Sequence, residues 1–452
     1  MSTAPSRIWR RSSPCSSGWC RNSGGKTVVK PEIYNAYVKI LHEELVPAMG
    51  CTEPIAIAYA SALARDTLGT MPERMEVQAS GNLIKNVKSV VVPNTNGLKG
   101  IEAAVAAGVV AGDAGKALEV ISVVSGEQKA RIHDMVGRGV CKVSLLDSGL
   151  VLDLIVTLRA GDDWARVRIV NHHTDVVLIE KNGAVLLEKP VDTSSSIGEV
   201  SPEKRLLTIR DIVEFARTVD LDDVRDVLER QVNYNMAICE EGLKSSYGGN
   251  VGKVLLREFG DGVATRCKAK AAAGSDARMG GCELPVVINS GSGNQGITVS
   301  VPVVEYAREL GKDQDTLLRA LVISNLVAVH QKAGIGSLSA YCGAISAGAA
   351  AGAAIAFLLG GGEYEIEHTI VNCLAISSGV VCDGAKASCA GKIAIGLDAA
   401  LLGYQMIKNQ QQFRGGDGIL KKGVEETIGV VGRLGKDGMR ETDREILHIM
   451  ID

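Results

Sequence analysis

Four cysteines are the residues from which chemistry can be argued first. The stretch VVCDGAKASCA, Val380 to Ala390, sets Cys382 and Cys389 seven residues apart with Asp383, Gly384 and Lys386 between them. In one continuous helix that spacing would separate the Cα atoms by about 10 Å, too far for one compact site. Asp383 and Gly384 instead predict a turn feeding a helix from near Ala385, which draws the two thiols together. Cys342 opens an Ala/Gly-rich helix. Cys51, within GCTEP, stands at the start of another, with Thr52 as the expected N-cap and Pro54 in the first turn. A thiol there feels the positive end of the helix dipole, which favours thiolate. Several such termini converging on one point would suit an anionic iron–sulfur site; buried packing thiols are the plainer alternative.

A second cluster of chemistry-bearing residues is NSGSGNQG, Asn289 to Gly296. Its Gly291-x-Gly293-x-x-Gly296 matches a dinucleotide fingerprint after an apolar run, LPVVI, that could be a strand. The following ITVSV reads as extended, with a helix only from near Pro302, so a pyrophosphate would lack its helix N-terminus. That argues against nicotinamide or flavin. A tight loop of free backbone N–H groups with Ser290, Ser292 and Asn294 still suits a small anion such as an amino-acid carboxylate.

The bulk sequence bounds these readings. The 452-residue chain is near charge balance at −3, which argues for a globular protein and against a nucleic-acid binder. Aromatics are 4% and Gly numbers 52, so the core must pack small aliphatic side chains with close backbone contact. The 11 cysteines include no C-x-x-C, which removes zinc ribbons and thioredoxin-type sites and points to a reducing, cytoplasmic setting. Residues 1–30 are Arg- and Ser-rich without an acid, like an organellar transit peptide or a disordered tail, and are set aside from the fold. Cys342 to Gly361 carries a GxxxG but is too rich in Ala and Gly, and too poor in flanking anchors, for a membrane span. A buried helix fits better.

The elements that must position these residues divide near residue 200. From Pro31 a helix runs to VPAMG, and IAIAYASALARDTLG forms a second, closed by Gly69. MEVQAS, SVVVP, LEVISVVS and the long run from Ala165 to Pro190 read as strands, with GIEAAVAAGVVAG a helix among them. From 201 to 452 helices dominate around the Ala/Gly run. The expected class is α+β: helices plus an α/β portion with a mixed sheet over 31–200, then a mainly helical domain.

Taken together and in order, LHEELVPAMGCTEPIAIAYA, GNLIKNVKSVVVPNTNG, DARMGG, NSGSGNQGI, HQKAGIGSLSAYCGA and VVCDGAKASCAGKIA resemble the L-cysteine desulfidase family. That family is related to the alpha-chain-like domain of iron–sulfur L-serine dehydratases. The resemblance runs from about Pro31 to the C-terminus. It implies a [4Fe–4S] cluster on three thiolates with one open iron, no pyridoxal phosphate, and β-elimination of L-cysteine to sulfide, pyruvate and ammonia. Cys342, Cys382 and Cys389 fit the ligand pattern, and the family also brings Cys51 to the cluster, so four thiols compete for three or four positions. Cys51 and Lys386 are the candidate bases. Arg278 and His330 are further candidates for carboxylate binding and proton transfer, although His330 sits on an apolar stretch, Val327 to Val329, that suits a core histidine.

Two rivals accompany this reading. One is L-serine ammonia-lyase activity on the same cluster; the Ser-rich SSSIGE, Ser194 to Glu199, lacks the His-Thr expected there. The other is a non-catalytic iron–sulfur redox sensor, which lacks a basic DNA-reading helix. The expected partner is a small-molecule substrate, with no nucleic acid and no membrane; a homo-oligomer is left open.

Overall fold

The computed structural model describes residues 29–191, 200–336 and 339–451. Most of the N-terminal extension, and Ser194 to Glu199 up to its last residue, lie outside them. The class is α+β. Helix α1 (Pro31–Glu44) leads through β1 (Pro47–Met49) into α2 (Thr52–Leu68), which Gly69 closes in the left-handed conformation. Then follow β2 (Arg74–Ala79), α3 (Gly81–Val87), α4 (Gly100–Ala111) and α5 (Gly126–Gly137). A capping box between Ser125 and Gln128 fixes the start of α5.

Strands β3 (Cys141–Leu145), β4 (Asp153–Ala160), β5 (Asp163–Val170), β6 (Val176–Lys181) and β7 (Ala184–Glu188) complete a six-stranded sheet. Its order is β3-β2-β4-β5-β6-β7, with β2 and β3 parallel and the rest antiparallel. The alternation of Met75, Val77 and Ala79 against Arg74, Glu76 and Gln78 buries one face of β2. Helix α2 lies across β4 and β5, and α4 lies on α2.

Two expected strands are absent. SVVVP is irregular, with Asn94 and Asn96 at φ of 59° and 54°, and LEVISVVS begins in a 3-10 turn, Ala114–Glu119. Most of their apolar residues are buried all the same: Val90, Val92 and Ile121 have no exposed surface, whereas Val123 is 72% exposed. An apolar run reports burial and does not by itself identify a strand.

The second part is helical: α6 (Ile209–Thr218), α7 (Arg225–Lys244), α8 (Val251–Phe259), α9 (Val263–Met279), the short strand β8 (Pro285–Val287), α10 (Gly293–Glu309), α11 (Gln314–Ile335), α12 (Gly343–Leu358), α13 (Glu363–Ser377), α14 (Cys389–Lys408), α15 (Val424–Arg433) and α16 (Arg440–Ile451). At its centre is α12, packed by α10, α11, α13 and α14. Its GxxxG serves close packing: a Cβ at Gly348 would stand 2.7 Å from the backbone of Gly396 in α14. Among the described residues no helix is long and apolar enough to cross a membrane.

The two parts are stitched together. Strands β1 and β8 pair antiparallel, Ala48 opposite Val286. Helix α1 packs on the helical part, with Tyr37 edge-on to Phe215 at 5.3 Å. Helix α10 corrects a further expectation. It begins at Gly293, inside the glycines, and runs through ITVSV and Pro302. Its β-branched residues are helical because Ile297, Val299 and Val301 are fully buried. The Thr298 and Ser300 hydroxyls donate back to the carbonyls of Asn294 and Gly296 at 2.7 Å. This is still no dinucleotide fold, because β8 has a single, antiparallel partner.

Candidate functional site

The thiols come together by backbone pairing. Tyr341 and Val381 form an antiparallel bridge, with the Cys342 amide donating to Val380 O and the Cys382 amide to Ala340 O. Alternation along such a bridge puts Cys342 and Cys382 on one face, diagonally adjacent. Residues 382–388 then form the predicted turn, and the helix starts at Cys389, later than Ala385. Gly384 holds that turn with φ of 90°, and a Cβ there would meet Lys85 O at 2.4 Å. Only glycine satisfies both demands.

Cys342 is the N-cap of α12, and Cys389 the first residue of α14. Burial pushes the Cys342 thiol up to about 12, reinforced by Cys382 and to a lesser degree Cys389. The Cys389 thiol is also raised by burial, and Cys382 adds to it. The three therefore sense one another's charge. Lys392 faces the same group and is paired with Asp383.

Cys51 joins this group by packing: it clusters with Val90 and Met279, against Ala385 and Cys389. The preceding Gly50, at φ of 63°, turns the chain where a Cβ would strike Pro93 at 2.3 Å. Cys51, and not Thr52, occupies the N-cap position of α2. Its Sγ donates to Glu53 Oε2 at 2.9 Å. The thiolate expected from the helix dipole is not favoured here: burial, then the Glu53 charge, raise the thiol well above its ordinary range.

Glu53 is the residue the sequence reading passed over. It also accepts from Thr52 Oγ1 and from Asn86 Nδ2, each at 3.0 Å. Burial opposes its ionisation, yet His173, the Cys51 thiol and Arg278 hold the carboxyl below its usual value. His173 reaches the site from the β5–β6 turn, not from the strand run in which the sequence placed it. Burial lowers its pKa and favours the neutral ring, with Glu53 opposing. A Cβ on Gly291 would lie 3.6 Å from its Cε1. Legible signals existed: an acid in the first turn of an apolar helix, and a His-Thr pair, His173–Thr174, between two strands.

The loop Asn289 to Ser292 is a tight turn with Ser290 and Gly291 both at positive φ, 50° and 76°. It is supported by a chain of buried amides. Gln231 donates to Asn325 Oδ1, Asn289 donates to the same oxygen, and Ser290 Oγ donates to Asn289 Oδ1. The single Thr52 Oγ1 proton is shared between Glu53 Oε2 and Gly291 O, each at 3.0 Å, which ties the loop to GCTEP. Ser292 is the N-cap of α10, and its side chain caps nothing. Arg278, 2% exposed, lies beneath Gly293, whose Cβ would meet its Nε at 2.3 Å.

Four enclosed polar atoms in this region have no hydrogen-bond partner among the described residues: His173 Nε2, Arg278 Nε, Asn294 Oδ1 and Gln295 Oε1. Buried polar atoms are rarely left so. Their concentration around one loop, at the N-terminus of a 17-residue helix, marks a place for a polar ligand.

Two expected residues are engaged by other partners. His330 Nε2 pairs with Glu425 on α15 at 2.7 Å, the satisfied histidine that its apolar helix suggested. Lys386 is tied to its own turn, its Nζ donating to Asp383 O at 3.0 Å and pairing with the Asp383 carboxylate. Lys332, which the sequence did not single out, is buried beside Cys382 and Cys342; burial lowers it to about 8 while those thiols oppose. A surface groove of about 370 Å³ between Ile376, Val380, Ile395 and Leu402 is mainly apolar and holds none of these residues. The convergence of thiols and unpaired polar atoms outweighs it as a site.

Comparison with known proteins accords with this geometry. The sequence model described as serine dehydratase alpha chain matches residues 115–448. The chain belongs to the serine dehydratase alpha chain family. A UPF0597 protein of Desulfitobacterium hafniense (strain Y51) is 55% identical over 419 residues, 93% of this chain and 97% of that protein. UPF0597 proteins of Lachnoclostridium phytofermentans and Treponema denticola are 49% and 46% identical, covering 93% and 92% of this chain and 100% and 98% of theirs. The span matched by the serine dehydratase alpha chain model includes His173, Arg278, Lys332 and the three C-terminal thiols, while Cys51, Glu53 and Asn86 precede it.

The family implies an iron–sulfur group. Among the described residues no three His, Cys, Asp or Glu side chains are close enough to hold a single metal ion. A cluster asks for something different, because each thiolate binds its own iron and the ligands stand farther apart. The donor set fits such a group: three mutually sensing soft thiols, two of them at helix N-termini, with the buried Lys332 and the part-buried Lys392 facing them.

Proposed function

We propose that this protein is a β-eliminating lyase that converts L-cysteine to sulfide, pyruvate and ammonia, with a [4Fe–4S] cluster held by Cys342, Cys382 and Cys389. The observation that carries the reading is the adjacency of a thiol triad to a polar cradle whose buried groups are unpaired. When bound, the cluster supplies a Lewis-acidic iron that makes sulfide a better leaving group.

The chain's own residues do the rest. Arg278, the Ser290–Gly291 turn and the start of α10 receive the substrate carboxylate. Asn294 and Gln295, with unpaired oxygens, accept from the ammonium group. His173, neutral and with Nε2 free of partners, takes the Cα proton. Glu53 stabilises the imidazolium that forms. The C–H pair becomes the Cα=Cβ bond as the C–S bond breaks, and the aminoacrylate tautomerises and hydrolyses. Cys51, hydrogen-bonded to Glu53, lines the cradle and is the reserve ligand.

The family match favours one second reading, L-serine ammonia-lyase activity at the same site. Both are tested on protein reconstituted anaerobically with iron and sulfide, assaying sulfide and pyruvate from L-cysteine and pyruvate from L-serine. Turnover of cysteine alone supports the desulfidase, and turnover mainly of serine supports the dehydratase. A formed cluster with neither product overturns both, and favours a redox role.

A further inference from the structure

Lys332 is a buried cation without a carboxylate. It lies in the last turn of α11, is 7% exposed, and its ammonium has no hydrogen bond or ion pair among the described residues. The charges acting on it are those of Cys382 and Cys342, which attract, and Lys85, which repels. The buried Lys85 and the part-buried Lys392 nearby differ. Lys85 is paired with Asp443, and Lys392 with Asp383. A buried ammonium is tolerated only beside compensating negative charge. Here the only groups able to provide it among the described residues are the thiols themselves.

We propose that Lys332 is the fixed counter-charge of the thiol triad: its ammonium compensates the Cys342 and Cys382 thiolates and so governs retention and reduction potential of the group they hold. This rests on the iron–sulfur reading above. An anionic centre enclosed in protein is stabilised by a cation that cannot be screened by water, and its reduction, which adds negative charge, becomes easier beside that cation. Lys332 has no assigned contact with substrate, so this is a positioning role, separable from the chemistry of His173 and Arg278.

The test compares wild type, K332M and K332R after anaerobic reconstitution. The readouts are iron and sulfide content, the rate of iron loss to a chelator, and the reduction potential, with a thermal melt as the folding control. K332M keeps the length of the side chain and removes its charge; K332Q replaces it if it does not fold. The expected result is iron loss on the order of tenfold faster and a more negative potential in K332M, with K332R close to wild type. Equal iron retention and potential in K332M and wild type would overturn the proposal while leaving the iron–sulfur reading intact. Wild type that takes up no iron would overturn both.

Discussion

Cys342, Cys382 and Cys389 stand on backbone fixed by a bridge, a glycine turn and two helix starts, among three lysines, Lys332, Lys386 and Lys392, and one carboxylate, Asp383. The facing wall, from Ser290 to Gln295 with Arg278 and His173, is equally well supported from behind by the Gln231–Asn325–Asn289 chain. Its forward atoms, however, are unpaired. The thiol wall is compensated as a site for a permanent, anionic occupant. The polar wall is compensated only when something with a carboxylate and an ammonium group is present. The difference separates the resident group from the transient one, and each wall can be broken alone.

The largest effect is expected on the thiol wall. C342A and C382A should take up no cluster and release no sulfide, whereas C51A should keep its iron. A C382A protein with wild-type iron content would remove Cys382 from the ligand set and transfer its place to Cys51. On the polar wall, H173Q should lower kcat by on the order of 10²–10⁴ with iron content unchanged. Loss of iron in H173Q would make the histidine a support of the thiol wall and erase the contrast. R278K should act mainly through KM, raising it by roughly tenfold or more as a bidentate charged contact is lost. A pure kcat effect would move Arg278 away from carboxylate binding. G348V tests neither wall but the packing beneath both. Overpacking against the Gly396 backbone should cost about 1–3 kcal/mol, read as a lowered Tm in the metal-free protein.

How much of this the sequence disclosed follows from where each signal is stored. The thiol wall was legible because its determinants are local: Cys-Asp-Gly predicts a turn, and small residues after Cys342 predict a buried helix. The same holds for Ser290, Ser292 and Asn294 around their glycines. Asn86 and Lys332 were not legible, and Glu53 and His173 were legible only as suggestive residue types without a partner, because their meaning arises from tertiary approach. His173 lies in a turn between two strands, and nothing within five residues of it predicts that Gly291 will lie against its ring. The strands misread at SVVVP and LEVISVVS come from consecutive apolar residues that carry no clean period. The helix misread at ITVSV comes from β-branched residues alternating with Thr298 and Ser300, a strand-like pattern whose hydroxyls are satisfied within the helix.

The smallest effect is the pH dependence of stability, and it also separates two members of the polar wall. His173 has its folded pKa lowered by burial. Above about pH 6.5 the ring is neutral in both folded and unfolded chains, so its contribution is fully present there. Below that value the unfolded chain binds a proton that the folded chain resists. Stability then falls by at most about 1.4 kcal/mol per pH unit, until the folded pKa is reached. Glu53, also lowered, acts in a different window: its contribution is present above about pH 4.3 and is lost as pH falls through its folded value. Denaturant midpoints of metal-free wild type and H173Q between pH 7 and 5 should therefore diverge, the variant showing the flatter slope, with E53Q parallel to wild type until the pH approaches the carboxylate range. Equal slopes for wild type and H173Q would mean that the folded protein takes up a proton at His173 as readily as the unfolded chain, and the neutral base assigned to the polar wall would be lost with it.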